Sequence, residues 1–210
     1  MKICIGIISY LPDDIKLREI RKERLHNVIS KCNELFSLPI IIVAQNWGDD
    51  IEIEHVTVFK YANKLGITEA RRKLREIFLD SDYDYLIMLD DDAKLVGTKE
   101  DADKYIQQIE DHPGQWGAYK SFLLKLFAIS KDIYKQIDFP KGEAEQGDFF
   151  EDMYLIMALD KKFKVFKFIF KRTSLNDVSD SSRDPNSTWF RKQFNKHSIG
   201  DRTRDMVRRL

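Results

Sequence analysis

The chain has 210 residues, enough for one well-packed core and few for two. Hydrophobic residues make up 43% and charged residues 33%, which excludes a disordered tail, and no apolar run approaches the ~18 residues needed to cross a bilayer. Lys plus Arg and Asp plus Glu are equal at 35 each, so the formal net charge is zero, which argues against a protein held mainly by nucleic-acid phosphates.

Ile3–Ile8 is short, apolar and rich in β-branched residues, and predicts a buried strand. It follows Met1-Lys2 directly, with no charged leader and cleavage site, so the expected location is cytoplasmic. After Ser9-Tyr10-Leu11-Pro12, the residues Leu25, Val28, Ile29, Cys32, Leu35 and Phe36 recur at three- and four-residue steps and predict a helix. Cys4 and Cys32 both sit among apolar neighbours and read as reduced core residues. Pro39 precedes a second buried strand, Ile40–Ala44, and Val56–Phe59 predicts a third. Helical spacing returns at Ile67, Ala70, Leu74, Ile77 and Phe78, before a further buried strand, Tyr85–Leu89. Strand, helix, strand, strand, helix, strand predicts an α/β layer with a largely parallel sheet flanked by helices. In such sheets ligands gather at the carboxyl ends of the strands, where Asp90, Asp91 and Asp92 fall.

The second half has shorter signals. Thr98-Lys99-Glu100-Asp101 starts a helix carrying Ala102, Tyr105, Ile106 and Ile109 on one face. Lys120–Ile129 is strand-like, and Ser130 caps a short helix with Ile133, Tyr134 and Ile137. An acidic loop, Gly142–Gly147, leads to a helix from about Asp148 to Asp160, and Lys164–Phe170 alternates like an edge strand. Beyond Lys171 the composition shifts to Ser, Asp, Asn and Pro and predicts a partly mobile extension, residues 171–210, ending in a basic tail. Residues 1–170 then form one domain, with a first half near 1–95 and a second near 96–170. Six acidic residues and one basic lie between Asp138 and Asp152, against seven basic and two acidic between Arg191 and Leu210. Such polarity suits a site for both a metal and a phosphate, or two solvated surfaces of opposite sign.

Three groups of residues can carry chemistry. Side chains alternate across a strand, so Asp90 and Asp92 are expected on one side with Asp91 pointing away. Two carboxylates at a strand tip offer hard oxygen ligands suited to magnesium or manganese. In Asp148-Phe149-Phe150-Glu151-Asp152, Asp148 and Glu151 match a capping box, which gives Glu151 a structural duty. Asp152 is then free to act as a base, or serves the helix macrodipole. Asn63, Gly66, Ala70, Arg71 and Arg72 surround a helix start, where glycine allows close backbone approach and arginine favours anions.

In order, these pieces resemble the GT-A fold glycosyltransferases, above all the inverting family 2 type. Ala44-Gln45-Asn46 ends a strand where that family often has an Asp or Asn touching the nucleotide. Asn63-Lys64-Leu65-Gly66 with Ala70-Arg71-Arg72 is similar to its N-x-x-G…A-R-N stretch, Arg72 replacing the Asn. Leu86–Asp92 resembles its hydrophobic strand plus D-x-D, Phe127–Ser130 its acceptor-side strand, and Phe150-Glu151-Asp152 its E-D motif. The resemblance covers residues 3 to about 160. It implies a nucleoside-diphosphate sugar as donor, most often uridine-linked, and Mn2+ or Mg2+ held by Asp90 and Asp92. It implies donor contacts from Ser9, Tyr10, Asn46, Gly66, Arg71, Asp90 and Asp91, and Asp152 as catalytic base. The family's late histidine has no counterpart at Leu175-Asn176-Asp177-Val178, which leaves Asp177 or His197 as substitutes. The acceptor hydroxyl could belong to a glycan, a peptide, a small molecule or a modified DNA base.

Three other readings compete. A haloacid-dehalogenase-like phosphatase needs Thr or Val two places after its second aspartate, where this chain has Lys94. A nucleotidyltransferase needs a glycine-rich loop after its first strand, and Ile7–Pro12 has none. A non-catalytic nucleotide- or metal-binding module remains as the reading from a different class.

Overall fold

The computed structural model describes residues 1–48, 51, 53–93, 95, 97–118, 127–137, 139, 155, 158, 159, 161–163 and 167–169. All of them belong to the compact unit Met1–Asn176; the unit Asp177–Leu210 lies outside the described residues.

The elements follow in chain order as β1 (Ile3–Tyr10), α1 (Ile15–Leu35), β2 (Ile40–Gln45), β3 (Val56–Tyr61), α2 (Ile67–Asp80), β4 (Tyr85–Asp90), α3 (Lys99–Glu110), β5 (Trp116–Ala118), β6 (Phe127–Ser130), α4 (Lys131–Tyr134) and β7 (Lys167–Ile169). The seven strands form one sheet in the order β3-β2-β1-β4-β6-β5-β7. Strands β3, β2, β1 and β4 run parallel, β6 runs antiparallel to both β4 and β5, and β7 runs parallel to β5. This is the expected mostly parallel mixed sheet with flanking helices. β1 registers Ser9 against Ala44, Tyr10 against Gln45 and Ile8 against Asp90, which brings the ends of three strands to one edge.

The alternation of side chains divides the core cleanly. Ile3, Ile5, Ile7, Ile87 and Leu89 pack with Leu25, Val28 and Cys32 of α1 and with Ala102, Tyr105 and Ile109 of α3. Cys4, Ile8, Leu86 and Met88 pack on the other face with Ala70, Leu74 and Phe78 of α2 and with Ile133 and Tyr134 of α4. Gly6 lies on this second face, where an added Cβ would stand 2.7 Å from Leu86 Cδ1 and 2.9 Å from Leu74 Cδ2. The missing side chain lets α2 lie close to the sheet. Both cysteines are free and buried, and burial pushes each thiol up to about 12.

The caps explain where helices begin. Asp14 Oδ1 accepts hydrogen bonds from Lys16 N (2.9 Å) and Leu17 N (3.1 Å) at the start of α1. Thr98 and Asp101 form a reciprocal capping box on α3, and Ser130 accepts from Ile133 N as predicted. β1, β2, β3 and β4 each run one or two residues past the predicted ends. The strand-like Lys120–Ile129 narrows to Phe127–Ser130 in its described part, and the edge strand predicted at Lys164–Phe170 is described over Lys167–Ile169. β5 has no counterpart in the sequence reading: three residues after Pro113-Gly114 are too few to display a period. Of the helix predicted from Asp148 to Asp160, the described Leu155, Ala158 and Leu159 are helical; its start lies outside the described residues. Among the described residues, no helix is long and apolar enough to cross a membrane.

Candidate active site

The three aspartates end the central strand β4, but they do not share one geometry. β4 stops at Asp90, and Asp91 and Asp92 form the centre of a turn closed by Ala93 N donating to Asp90 O at 3.1 Å. Strand alternation therefore governs Asp90 and Asp91, while the turn decides Asp92.

Asp90 faces the α2 layer. Arg71 Nη2 donates to its Oδ1 at 3.1 Å, and Arg71 Nη1 lies 3.8 Å from Met88 Sδ. The arginine side chain is 1% exposed and the aspartate 34% exposed, so the pair runs from the core to the rim. Arg71 is brought there by its place on the buried stripe Ala70, Arg71, Leu74, Phe78 of α2.

Asp91 faces the α1 layer. Ser9 Oγ donates to its Oδ2 at 2.6 Å and Arg21 Nη1 to its Oδ1 at 2.6 Å. Asp91 is 7% exposed. Burial holds its carboxyl above the ordinary aspartate range, against the opposing pull of Arg21 and Ser9. Asp92 is exposed and makes no hydrogen bond or ion pair with another described residue.

Around this tip stand the other predicted contacts. Tyr10 ends β1, and Lys64 Nζ lies 5.2 Å from its ring centroid. Asn46 follows β2 in a left-handed conformation, φ 60°. Its Nδ2 donates to Leu11 O and to Asp13 Oδ1, both at 2.9 Å, so Asn46 ties the β1–α1 loop to β2. Gly66 precedes α2 with φ 81°, a conformation that glycine adopts without strain, and it provides no side-chain cap. Arg72, standing where the resemblance has Asn, is forked onto Glu69 at 2.8 and 2.6 Å.

Ser9, Asp91, Asp90 and Arg71 are thus linked to one strand tip. Asp152, expected as the base, lies outside the described residues, as do Asp177 and His197. Sequence reasoning gave no role to Gln45, whose buried Oε1 accepts from Leu65 N at 2.8 Å and fixes the loop entering α2. Nor did it pair Arg21 with Asp91. The signal was present: Arg21 sits one turn before Leu25 on the apolar stripe of α1, an unusual place for a charge.

No family model matches this sequence, and no curated protein does. Solved structures do match. Mannosyl-3-phosphoglycerate synthase from Rubrobacter xylanophilus aligns at 12% identity and a TM-score of 0.59, covering 99% of this chain and 75% of that one. Residues 1–349 of S. aureus TarS in complex with UDP-GlcNAc align at 10% identity and a TM-score of 0.58, covering 90% of this chain; the present chain spans 61% of that one. A CMP:2-keto-3-deoxy-manno-octonic acid synthetase complexed with CTP aligns at 11% identity and a TM-score of 0.55, covering 93% and 99% of the two chains. The chain shares the GT-A-like fold of these structures.

Proposed function

We propose that this protein is a metal-dependent glycosyltransferase that moves a sugar from a nucleoside-diphosphate sugar, with a uridine nucleotide favoured, to an acceptor hydroxyl with inversion. The observation that carries the reading is the tip of β4, where one aspartate is gripped by a buried arginine and another stands exposed beside it. The matched structures carry UDP-GlcNAc and CTP in this same fold.

The donor set suits a small hard cation. Asp92 offers an exposed carboxylate and Asp90 a partly exposed one, and carboxylate oxygen is what Mg2+ and Mn2+ prefer. Among the described residues no group of three or more His, Cys, Asp or Glu side chains could hold an ion alone; in this reading diphosphate oxygens and water complete the shell, with Asp177 or His197 as the further candidates. When bound, the ion offsets the charge that builds on the departing diphosphate. Arg71 fixes the direction of Asp90. Tyr10 and Asn46, at the ends of β1 and β2, border the space assigned to the nucleobase, and Gly66 allows the backbone before α2 to approach the donor. Asp152 takes the proton of the acceptor hydroxyl as its oxygen bonds to the anomeric carbon and the bond to the diphosphate breaks. A base so placed contributes roughly 10²–10⁴-fold. The acceptor is a glycan, a peptide, a small molecule or a modified DNA base.

A panel of nucleotide sugars with and without Mn2+, read by nucleoside diphosphate released, tests the proposal. Turnover that needs the metal and is lost in Asp92→Asn supports it. Asp152→Asn should abolish transfer while keeping donor affinity; near-normal transfer would reject Asp152 as the base. Because nucleotidyltransferases share the fold, pyrophosphate release from CTP plus a sugar acid or sugar phosphate is the contrasting result, and it would overturn sugar transfer.

A further inference from the structure

Asp90 and Asp91 are consecutive, and strand alternation sends them to opposite faces of the sheet. Each face supplies an arginine: Arg71 from α2 meets Asp90, and Arg21 from α1 meets Asp91. The third carboxylate, Asp92, is left exposed. Asp91 has both carboxylate oxygens engaged, one by Ser9 from the end of β1 and one by Arg21, and it is buried. Three elements that lie 70 and 82 residues apart in sequence therefore meet on a single side chain.

Taking a carboxylate out of water costs several kcal/mol, and a buried pair seldom returns more than that cost. A well-packed apolar residue would serve stability at least as well. What the charged side chain adds is direction. Two short, charge-assisted bonds from different elements fix the position and rotation of residue 91, and hence of the turn of which it is the first central residue.

We propose that Asp91 is a positioning residue: clamped by Ser9 and Arg21, it holds the turn that presents Asp92 to the divalent ion. The proposal rests on the metal-site reading above. It assigns Asp91 neither to the ion nor to the donor, since the carboxylate is buried and each of its oxygens is already aimed at a protein donor. Second partners of this kind are worth about 10–100-fold in metal affinity.

The test is Mn2+ binding to the protein with UDP present in excess, followed by electron paramagnetic resonance, with thermal melting in chelator as a check on folding. Asp91→Asn keeps the shape but turns an amide toward Arg21, and should weaken Mn2+ by about 10–100-fold. Arg21→Met, which changes a side chain a third exposed and distant in sequence, should weaken it in the same direction, and Arg21→Lys should recover most of the loss. Melting temperatures that fall while Mn2+ affinity stays unchanged in both Asp91→Asn and Arg21→Met would reduce the clamp to ordinary packing and overturn the proposal. Loss in Asp91→Asn with unchanged affinity in Arg21→Met would make Asp91 a direct ligand, and would also overturn it. If Asp91→Asn does not fold, the Arg21→Met and Arg21→Lys pair decides alone. Failure of the metal reading looks different: with UDP present, the unaltered chain would bind no Mn2+ beyond what UDP itself holds, or Asp92→Asn would bind it as tightly.

Discussion

The two helix faces of the sheet deliver the same chemical device, an arginine on a β4 aspartate, in two different settings. On the α2 face the helix lies close because Gly6 makes room, and Arg71 is buried beside Met88. On the α1 face no residue of the helix before Leu25 is buried, and Arg21 reaches the sheet from that unburied stretch. The ion pair at Asp90 is therefore anchored at its cation and wet at its anion, whereas the pair at Asp91 is wet at its cation and anchored at its anion. The local medium sets the strength of such a pair more than its distance does. The α2 face supplies rigidity, and the α1 face supplies a link made from a segment with little packing of its own.

The largest expected effect breaks that comparison at Arg21. Arg21→Met leaves the buried Asp91 carboxylate with Ser9 as its remaining side-chain partner. Removing one partner of a fully buried pair costs about 3–5 kcal/mol, and the partial exposure of Arg21 together with the Ser9 bond should bring this to about 2 kcal/mol. Urea unfolding measures it. Arg71→Met keeps the aliphatic volume beside Met88 and should cost less, about 1 kcal/mol, because the carboxylate it leaves behind, Asp90, is 34% exposed and already hydrated. Equal losses would mean that the two faces do not differ in the way described.

The fold was legible wherever period and punctuation were strong. The runs Ile3–Ile8, Ile40–Ala44 and Tyr85–Leu89 are uninterrupted because those strands are covered on both faces, and parallel strands flanked by helices have that texture. β5 was not legible, because Trp116–Ala118 owes its pairing to β6 and β7 and not to any pattern of its own. At the site, the carboxylates could be read and their directions only in part. Alternation assigns Asp90 and Asp91 to opposite faces, but the turn that exposes Asp92 depends on a backbone bond from Ala93. Partners were the harder matter. Arg21 and Arg71 both stand in line with the apolar stripes of their helices, and which aspartate each one meets follows from the alternation of Asp90 and Asp91 together with the face that each helix covers. Asn46 carries the opposite lesson. Its type suggests a nucleotide contact, and the structure adds a local duty that sequence does not display: its Nδ2 donates to Leu11 O and Asp13 Oδ1.

The next effect sharpens the comparison deeper in the core, where each face holds one thiol: Cys4 with α2 and Cys32 with α1. Burial raises both from 9.0 to about 12. The folded state thus favours the protonated thiol, and that stabilisation is complete below pH 9 and drains away as pH climbs toward 12. Each thiol should steepen the alkaline loss of stability by about 1.4 kcal/mol per pH unit in that window. Denaturant melts of Cys4→Ser and Cys32→Ser between pH 8 and 10.5 isolate each contribution as a change in slope. Equal changes are expected, since the packing around Leu25 and beyond is as dry on the α1 side as on the other. A smaller change for Cys32→Ser would extend the looseness of the α1 face down to its core.

The smallest effect belongs to the outer end of α1. Leu17 and Ile20 are 54% and 44% exposed, so truncating either removes little surface that folding had taken from water. Alanine is also the better helix former, by a few tenths of a kcal/mol over isoleucine. Leu17→Ala and Ile20→Ala should each shift stability by no more than about 0.5 kcal/mol, with Ile20→Ala the one to gain if either does. Neither should alter Mn2+ affinity, because the clamp on Asp91 runs through Arg21 and not through these side chains. A loss above about 1 kcal/mol at either position would require that apolar surface to be covered in solution. The α1 segment before Leu25 would then be a packed element like α2, and the contrast between the two faces would disappear.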